Sequence, residues 1–322
     1  MSQQPKNSLA HSGGSANVHS PCGAHSVSIN HTHQASLNEP QYFSTRVVEE
    51  EIAQDPDVTN ILVTVLMPCL NEARTLAACI QKAHAGCQEA IAQRTSSPRP
   101  VSGSKGEEYP SRTNCDLDLL EAPTLSYEIL IADNGSIDGS PGIAIANGAR
   151  MIHVEQKGYG AALLGGIAVA RGKYIAIGDS DCSYDFGEVP RFLDKLEEGY
   201  DLVMGNRFSG GIISGAMPWH HRYIGNPLLS GLGRLLYRTH CRDWHCGLRA
   251  FDRKTINKLK LECPGMEFAS EMLVKSALNL LREAEIPVFL HPDGRNGPPH
   301  IRSLRDGVRH LQLLLRYYFW RK

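Results

Sequence analysis

The 322-residue sequence has little of several features that mark common protein classes. Its nine cysteines are scattered without a CxxC pair, which indicates neither a disulfide framework nor a typical zinc site and favours a reduced, cytoplasmic compartment. The net charge of −1 singles out no class of partner. No run approaches the roughly 18 to 20 apolar residues that cross a bilayer, and the start lacks a signal-peptide pattern. We therefore expect a protein that is soluble or lies on a membrane surface.

Composition divides the chain into three parts. Residues 1–58 form a polar tail, rich in Ser, Asn, Gln, Gly and His at its start, and are predicted to be disordered. One α/β domain is predicted over residues 59–298, with residues 94–122 as a mobile surface insertion because they show little periodicity. Residues 299–322 are predicted to form an amphipathic, basic C-terminal helix.

Within the domain, short apolar runs alternate with helical patterns. Strands are predicted at 61–67, 127–132, 149–154, 174–177 and 201–205, and helices at 71–92, 139–147, 160–170 and 187–198. This alternation predicts a mainly parallel sheet with helices on both faces. In such sheets ligands bind at the carboxyl ends of the strands, so the residues there are the candidates for a site.

Polar, proline or glycine residues follow every predicted strand. In strand order they are Pro68, Asn71 and Glu72; Asp133, Ser136 and Asp138; Gly158 and Gly160; Asp179 and Asp181; and Arg207. The glycine pair has neither the position nor the spacing of a dinucleotide fingerprint, and no Walker-type run is present. Helix capping explains Ser136 and Asp138 as well as nucleotide binding does, whereas Asp133 lies deeper and could accept a hydrogen bond from a nucleobase.

Asp179 and Asp181 stand one residue apart at the end of a buried strand. Two carboxylates are costly there unless a positive charge neutralises them. The hard cations Mg²⁺ and Mn²⁺ take carboxylate oxygens and share them with substrate phosphates. Although a simple turn is the alternative, the pair predicts a cation that holds a nucleotide diphosphate.

Together these motifs resemble family-2 glycosyltransferases, whose fold is GT-A, over residues 63–308. Asp179-Ser180-Asp181 takes the place of the family's DxD motif, and Asn134 stands where the family has Asp. The other matching blocks are Pro68-x-x-Asn71-Glu72, Asp133-Asn134-Gly135-Ser136-Ile137-Asp138-Gly139-Ser140, Gly205-Asn206-Arg207-Phe208 and Asp243-x-x-x-Gly247-Leu248-Arg249-Ala250-Phe251. Residues 217–226 and 265–271 are similar to the dolichyl-phosphate mannose and glucose synthase group.

The resemblance implies a reaction and a role for each residue. The reaction is inverting, metal-dependent transfer of a hexose from a UDP-glucose or GDP-mannose type donor to a polyprenyl or dolichyl phosphate. The polar strand-end residues would bind the nucleotide sugar, Asp179 and Asp181 would hold Mg²⁺ or Mn²⁺, and Asp181, Asp243 and Arg249 would be catalytic. The acceptor residues would be Glu271, Arg295, Arg302 and Arg305.

The acceptor decides whether a general base is needed. A phosphate monoester has a second pKa of roughly 6 and is already ionised near neutral pH, so a lipid phosphate needs no strong base. A glycan or other hydroxyl acceptor would need one, and Asp243 is then the candidate. A non-catalytic nucleotide-sugar or membrane-binding protein on the same scaffold is a third hypothesis, which the intact Asp179 and Asp181 pair disfavours.

The C-terminal helix supports the lipid hypothesis. Leu304, Val308, Leu311 and Leu315 recur on one face, and the arginines fall on another. Such a helix can lie peripherally on the cytoplasmic face of an anionic membrane. A helix that packs on the domain with solvated arginines explains the same pattern equally well.

Overall fold

The computed structural model describes residues 60–96, 125–295 and 303–319. The predicted tail at 1–58 lies outside the described residues, as does most of the predicted insertion. Arg302, which was expected to contact the acceptor, also lies outside them.

The described residues form eight strands and nine α-helices. The strands are β1 (Ile61–Cys69), β2 (Ser126–Asp133), β3 (Arg150–His153), β4 (Tyr174–Ile177), β5 (Leu202–Asn206), β6 (Gly211–Ile212), β7 (Arg249–Asp252) and β8 (Glu283–Leu290). The helices are α1 (Leu76–Ser96), α2 (Ser140–Ala146), α3 (Tyr159–Val169), α4 (Val189–Glu197), α5 (Arg207–Gly210), α6 (Asn226–Tyr237), α7 (Arg253–Lys258), α8 (Phe268–Leu278) and α9 (Ser303–Phe319). A 3₁₀ turn (Phe186–Glu188) precedes α4, and a π-helical turn (His221–Gly225) precedes α6.

The strands form one sheet in the order β3-β2-β1-β4-β7-β5-β8-β6. Only β7 runs antiparallel to its neighbours, β4 and β5, and the other pairs are parallel. The prediction of a mainly parallel α/β sheet is therefore confirmed. Strands β2 and β3 lie on one side of β1, and β4 lies on the other. The order in which the chain adds strands to the sheet therefore reverses between β1 and β4. Ligands of open α/β sheets bind at the carboxyl ends of strands at such a point.

Strand β1 is buried on both faces, which is why its sequence is an almost continuous apolar run, interrupted by the hydrogen-bonded Thr64, rather than an alternating one. Val63, Val65 and Met67 belong to the hydrophobic core that also contains apolar residues of α1 and α4. Leu66, whose side chain points the other way, belongs to the core formed with α3 and α8. Parallel pairing with β2 and β4 holds β1 in place and so fixes the positions of the polar residues that follow it.

Both predicted ends of α1 were wrong. The helix was predicted from residue 71 but begins at Leu76, and Arg94 was assigned to the mobile insertion, but α1 continues through it to Ser96. The guanidinium of Arg94 is mostly buried and lies 2.8 Å from the Asp194 carboxylate and 3.0 Å from the Glu197 carboxylate, both on α4. These ion pairs extend the helix, because they hold its last turn against α4.

The predicted C-terminal helix is present as α9, and it has two apolar faces. His310, Leu313 and Leu314 are buried against the domain, and the Tyr237 hydroxyl of α6 donates a 2.6 Å hydrogen bond to the Leu314 carbonyl. The stripe of Leu304, Val308, Leu311 and Leu315 is exposed. The helix therefore packs on the domain and still presents the predicted apolar stripe to the surroundings.

Candidate active site at the carboxyl ends of β1, β2 and β4

Hydrogen bonds join the loops that follow β1 and β2. The Asn71 side chain accepts from the Ile137 amide at 2.9 Å, and the Ser136 hydroxyl accepts from the Asn71 amide at 2.9 Å. Asp138 accepts from the Ala73 amide at 2.9 Å and also from the amide and hydroxyl of Ser140. The residues predicted to bind the nucleotide thus come together, and several of them first serve to fix the two loops to each other.

Asp133 is buried at the end of β2, as the sequence indicated. Its carboxylate accepts hydrogen bonds from the amides of Gly135 and Ser136. His153 Nδ1 lies 3.2 Å from the Asp133 carboxylate. Burial is the largest single influence and disfavours the charged form, but the hydrogen bonds from Ser136, Gly135 and His153 together outweigh it and lower the pKa of Asp133 below its ordinary value. Asp133 is therefore a fixed, ionised acceptor near neutral pH.

Asn134 was noted only as a lost charge, and its structural function was not predicted. Its side-chain nitrogen donates to the carbonyls of Val154 (3.0 Å) and Gln156 (2.8 Å). Its side-chain oxygen accepts from the Gly158 amide at 2.8 Å. A carboxylate could not donate to the two carbonyls, so the amide explains why Asn suits this position.

Asp179 and Asp181, which follow β4, have different hydrogen-bond partners. The Tyr159 hydroxyl donates to Asp179 at 3.1 Å, and a Cβ atom on Gly247 would lie 2.5 Å from the Asp179 carboxylate. One oxygen of Asp181 accepts from the amide and hydroxyl of Ser183, and the other faces Arg295. Ser180, which lies between the two aspartates in sequence, donates a 2.7 Å hydrogen bond from its hydroxyl to the Pro68 carbonyl. This bond ties the loop to β1.

Arg295 was predicted to contact the acceptor, but its guanidinium bridges two carboxylates of this site. One terminal nitrogen lies 3.0 Å from Glu72, and the other lies 3.0 Å from Asp181 and 3.4 Å from Asp293. The side chains of Glu72 and Asp181 are almost fully buried. Arg295 is thus the cation closest to this pair of carboxylates among the described residues.

The negative charge of the carboxylates in this site exceeds the single positive charge of Arg295. Burial raises the pKa of Glu72 to about 7, even with Arg295 beside it. Burial and the neighbouring Asp181 charge raise the pKa of Asp179 to about 6. Both shifts mean that an added positive charge at this edge would be favourable.

A divalent cation fits the donor set of Asp179 and Asp181, because carboxylate oxygens are the ligands that Mg²⁺ and Mn²⁺ prefer. A positive charge beside Asp179 would favour its charged form, which burial and the Asp181 charge disfavour. Within residues 60–96, 125–295 and 303–319, no group of three or more His, Cys, Asp or Glu side chains is arranged to hold a metal ion.

Asp243 and Arg207 form a buried ion pair behind the loops. Asp243 is fully buried and accepts from the Arg207 amide at 3.0 Å and from its Nε and Nη2 atoms at 2.7 Å each. Arg249, at the start of β7, is also buried and donates to the Cys246 carbonyl. The geometry gives Asp243 and Arg207 a structural partnership, and their suggested contacts with substrate stay predictions.

Glu271 and the glycine pair are also engaged within the protein. Glu271 is fully buried on α8 and accepts hydrogen bonds from the backbone amides of Glu262 and Cys263, and Lys275 lies 2.8 Å from it. Cβ atoms on Gly158 and Gly160 would lie 2.2 Å from the carbonyls of Pro264 and Cys263. The glycines therefore allow the start of α3 to approach the chain before α8. Arg305 is exposed on α9, outside this cluster.

Comparison with known proteins identifies the family. The model of the family described as "Glycosyl transferase family 2" matches residues 113–260. A dolichyl-phosphate hexose transferase of Haloferax volcanii is 32% identical over 162 residues, which are 50% of this chain and 68% of the relative. This chain belongs to glycosyl transferase family 2. The sequence-based assignment to this family is therefore confirmed.

Other relatives are longer than this chain. The low-salt glycan biosynthesis hexosyltransferase Agl6 of Haloferax volcanii is 35% identical over 265 residues, which are 82% of this chain and 55% of the relative. The match to glycosyltransferase AglJ of the same organism covers 59% of that relative. The chain therefore spans little more than half the length of these two relatives.

Solved structures confirm the GT-A fold. Glucosyl-3-phosphoglycerate synthase of Mycobacterium tuberculosis, in complex with Mn²⁺, UDP and glucosyl-3-phosphoglycerate, superimposes with a TM-score of 0.52 at 20% identity over 88% of this chain and 86% of the other. The same enzyme with phosphoglyceric acid gives a TM-score of 0.53 at 21% identity over 87% of this chain and 85% of the other. At this identity the similarity concerns the fold alone.

Proposed function

We propose that the protein transfers a hexose, with inversion and with Mg²⁺ or Mn²⁺, from a nucleotide-diphosphate sugar to a polyprenyl or dolichyl phosphate. The observation that carries this proposal is the group of carboxylates Glu72, Asp179 and Asp181, of which Glu72 and Asp181 are buried and Asp179 is partly exposed, at the point where the strand order reverses. A site with unneutralised acid at this edge suits a cation and a diphosphate. A Mycobacterium tuberculosis enzyme of the same fold was crystallised with Mn²⁺ and UDP.

In this proposal each described side chain has a task. Asp133, held ionised by its hydrogen bonds, accepts a hydrogen bond from the nucleobase. The joined loops after β1 and β2, which include Asn71 and Ser136, form a rigid wall for the nucleoside. Asp179 and Asp181 would hold the divalent cation, which when bound stabilises negative charge on the leaving diphosphate. Since a phosphate acceptor is already ionised near neutral pH, no side chain needs to act as a strong base.

The surface formed by α6 and α9 supports a lipid acceptor. On α9 the exposed stripe of Leu304, Val308, Leu311 and Leu315 has no cover among the described residues. On α6 and the turn before it, Ile224, Leu228 and Leu235 are also exposed, and α6 contacts α9. Isolated exposed apolar residues are ordinary, but four on one stripe of a single helix, as on α9, mark an interaction surface.

Charge favours a membrane as the partner of this surface. Exposed arginines lie on the same two helices or directly after α6, namely Arg234, Arg238, Arg305 and Arg316. Apolar residues next to arginines are typical of helices that lie in the interface of an anionic membrane. No helix among the described residues combines the length and apolar character needed to cross a bilayer. We propose peripheral attachment on the cytoplasmic face, where a lipid phosphate would be presented to the site.

The double substitution Asp179→Asn with Asp181→Asn tests the catalytic part of the proposal. It should reduce metal-dependent turnover of the donor by at least about 100-fold, because the site loses both carboxylate ligands of the cation. The measurement is release of UDP or GDP from UDP-glucose and GDP-mannose with and without Mn²⁺. Asp194→Asn on α4, which removes a carboxylate far from the strand ends, is the matched control. Equal turnover in the double variant and the control would exclude this site.

A further inference from the structure

The backbone places Arg295 against the predicted metal loop with little freedom. The Gly294 amide donates to the Asp181 carbonyl at 2.8 Å, and the His291 amide donates to the Ser183 carbonyl at 3.0 Å. A Cβ atom on Gly294 would lie 2.7 Å from the Thr75 side chain, so only glycine fits without a shift. The chain after β8 thus lies along the Asp181–Ser183 loop and delivers the Arg295 guanidinium to the carboxylates.

The guanidinium uses the oxygen of Asp181 that points away from its own loop. The other Asp181 oxygen already accepts from Ser183, so Arg295 takes the one remaining oxygen, Oδ2. Because Oδ1 already accepts two hydrogen bonds, a cation bound to Asp181 would use Oδ2, directly beside the guanidinium. Arg295 and a divalent cation therefore repel each other at this oxygen and compete to compensate the charge of Glu72 and Asp181.

We propose that Arg295 is a positioning residue that occupies Asp181 in the metal-free protein and leaves it when a divalent cation binds, its guanidinium then turning to the donor diphosphate. This inference rests on the proposed function. An arginine suits the second position because its planar fork pairs with phosphate oxygens as readily as with carboxylates. The diphosphate would bring its charge to the same edge, so the guanidinium has a new partner close to the one it gives up.

The proposal predicts that Arg295→Gln changes the affinities for Mn²⁺ and for the nucleotide in opposite directions. Without nucleotide, the variant should bind Mn²⁺ about 5-fold or more tightly than the wild type, because no internal cation competes for Asp181. With Mn²⁺ saturating, it should bind UDP or GDP about 5-fold or more weakly, because the diphosphate loses its arginine. General damage to the site would weaken both equilibria, so the opposite signs separate the two explanations.

The experiment measures Mn²⁺ binding by electron paramagnetic resonance of the free ion, and UDP and GDP binding by calorimetry. Arg295→Lys keeps the charge but cannot bridge Glu72 and Asp181, so its Mn²⁺ affinity should lie between those of the wild type and Arg295→Gln. This variant also serves if Arg295→Gln folds poorly. Arg94→Gln, which removes an arginine from an ion pair between α1 and α4, is the matched control and should bind both ligands as the wild type does.

Three outcomes would contradict different statements. Unchanged or weaker Mn²⁺ binding in Arg295→Gln, with a wild type that binds both ligands, overturns the competition and leaves the proposed function standing. If Arg295→Gln binds UDP and GDP as the wild type does at saturating Mn²⁺, the proposed movement of the guanidinium to the diphosphate is wrong. A wild-type protein that binds neither Mn²⁺ nor a nucleotide overturns the proposed function and this inference with it.

Discussion

Replacing Asp243 by Asn tests whether this residue acts through structure or through chemistry. Asp243 is fully buried, and its two oxygens accept three hydrogen bonds from Arg207. In the variant an amide nitrogen would face guanidinium donors, and the Arg207 charge would stay buried without its counter-charge. Breaking a buried ion pair in this way costs about 3–5 kcal/mol of unfolding free energy.

For a domain of this size the loss corresponds to a fall in melting temperature of about 6–20 °C, at roughly 2–4 °C per kcal/mol. Urea denaturation at low temperature, followed by circular dichroism, measures the free energy directly. Asp194→Asn is the control, because its pair with Arg94 has a carboxylate that is 56% exposed and should cost at most about 1 kcal/mol. The double substitution Arg207→Met with Asp243→Leu should recover much of the loss, since apolar pairs of similar volume often replace buried ion pairs without cost.

The reasoning is refuted by a specific result. If Asp243→Asn melts within about 2 °C of the wild type, the buried pair does not stabilise the fold as its geometry indicates. If that same stable variant has also lost transfer activity, Asp243 has the chemical function that the sequence resemblance suggested for a hydroxyl acceptor.

Two further predictions concern α9. Burial lowers the pKa of His310 from 6.5 to about 4, so stability that is complete above pH 6.5 should be lost as the pH falls towards 4. Because the raised pKa values of Glu72 and Asp179 act in the opposite direction over this range in both proteins, the test is the difference between them. The unfolding free energy of the wild type relative to that of His310→Asn should fall by about 2 kcal/mol between pH 7.5 and 5 in urea titrations. The same pH dependence in both proteins would contradict the assignment. Leu304→Asn with Leu311→Asn removes two exposed leucines and should weaken binding to phosphatidylglycerol vesicles at least about 10-fold in flotation assays. Gln312→Asn, on the polar face of α9, should bind as the wild type does, and equal binding by all three proteins would contradict the membrane surface.

Much of the sheet could be predicted because its signals are local. The bounds of β4 were predicted to the residue, and β1 and β2 to within two residues, since each is an apolar run ended by polar residues. The antiparallel strand β7 was not predicted from pattern, because its four residues, Arg249–Asp252, take their direction from pairing with β4 and β5. Such pairing depends on the path of the whole chain rather than on the segment itself.

The sequence predicted which residues belong to the site, but not the contacts that they make with each other. Strand ends identified Asp133, Asp179 and Asp181, because parallel strands bring their carboxyl ends to one edge. The position of Arg295 could not be predicted, since it meets Asp181 across 114 positions of sequence through the backbone contacts of Gly294. Tyr159 was missed for the same reason, although an aromatic hydroxyl beside the glycine pair was a usable signal.

The C-terminal helix shows the limit of a periodicity argument. The stripe that contains Leu304 and Leu311 was predicted, and two explanations for it stood open, a membrane or the domain. In the structure the domain covers a different face, which includes His310 and Leu314. Periodicity identifies an apolar face, but it does not tell which of two faces a neighbouring helix will cover.

The most direct test of the central proposal is transfer of labelled hexose from UDP-glucose or GDP-mannose to a short polyprenyl phosphate, with Mn²⁺ or with EDTA. We predict a lipid-linked hexose that forms with Mn²⁺, is absent with EDTA, and is absent when Asp179 and Asp181 are both Asn. Donor turnover that is independent of the lipid phosphate would contradict the acceptor and indicate a hydroxyl instead. Absence of turnover with any donor, lipid or metal would contradict the proposed catalytic function.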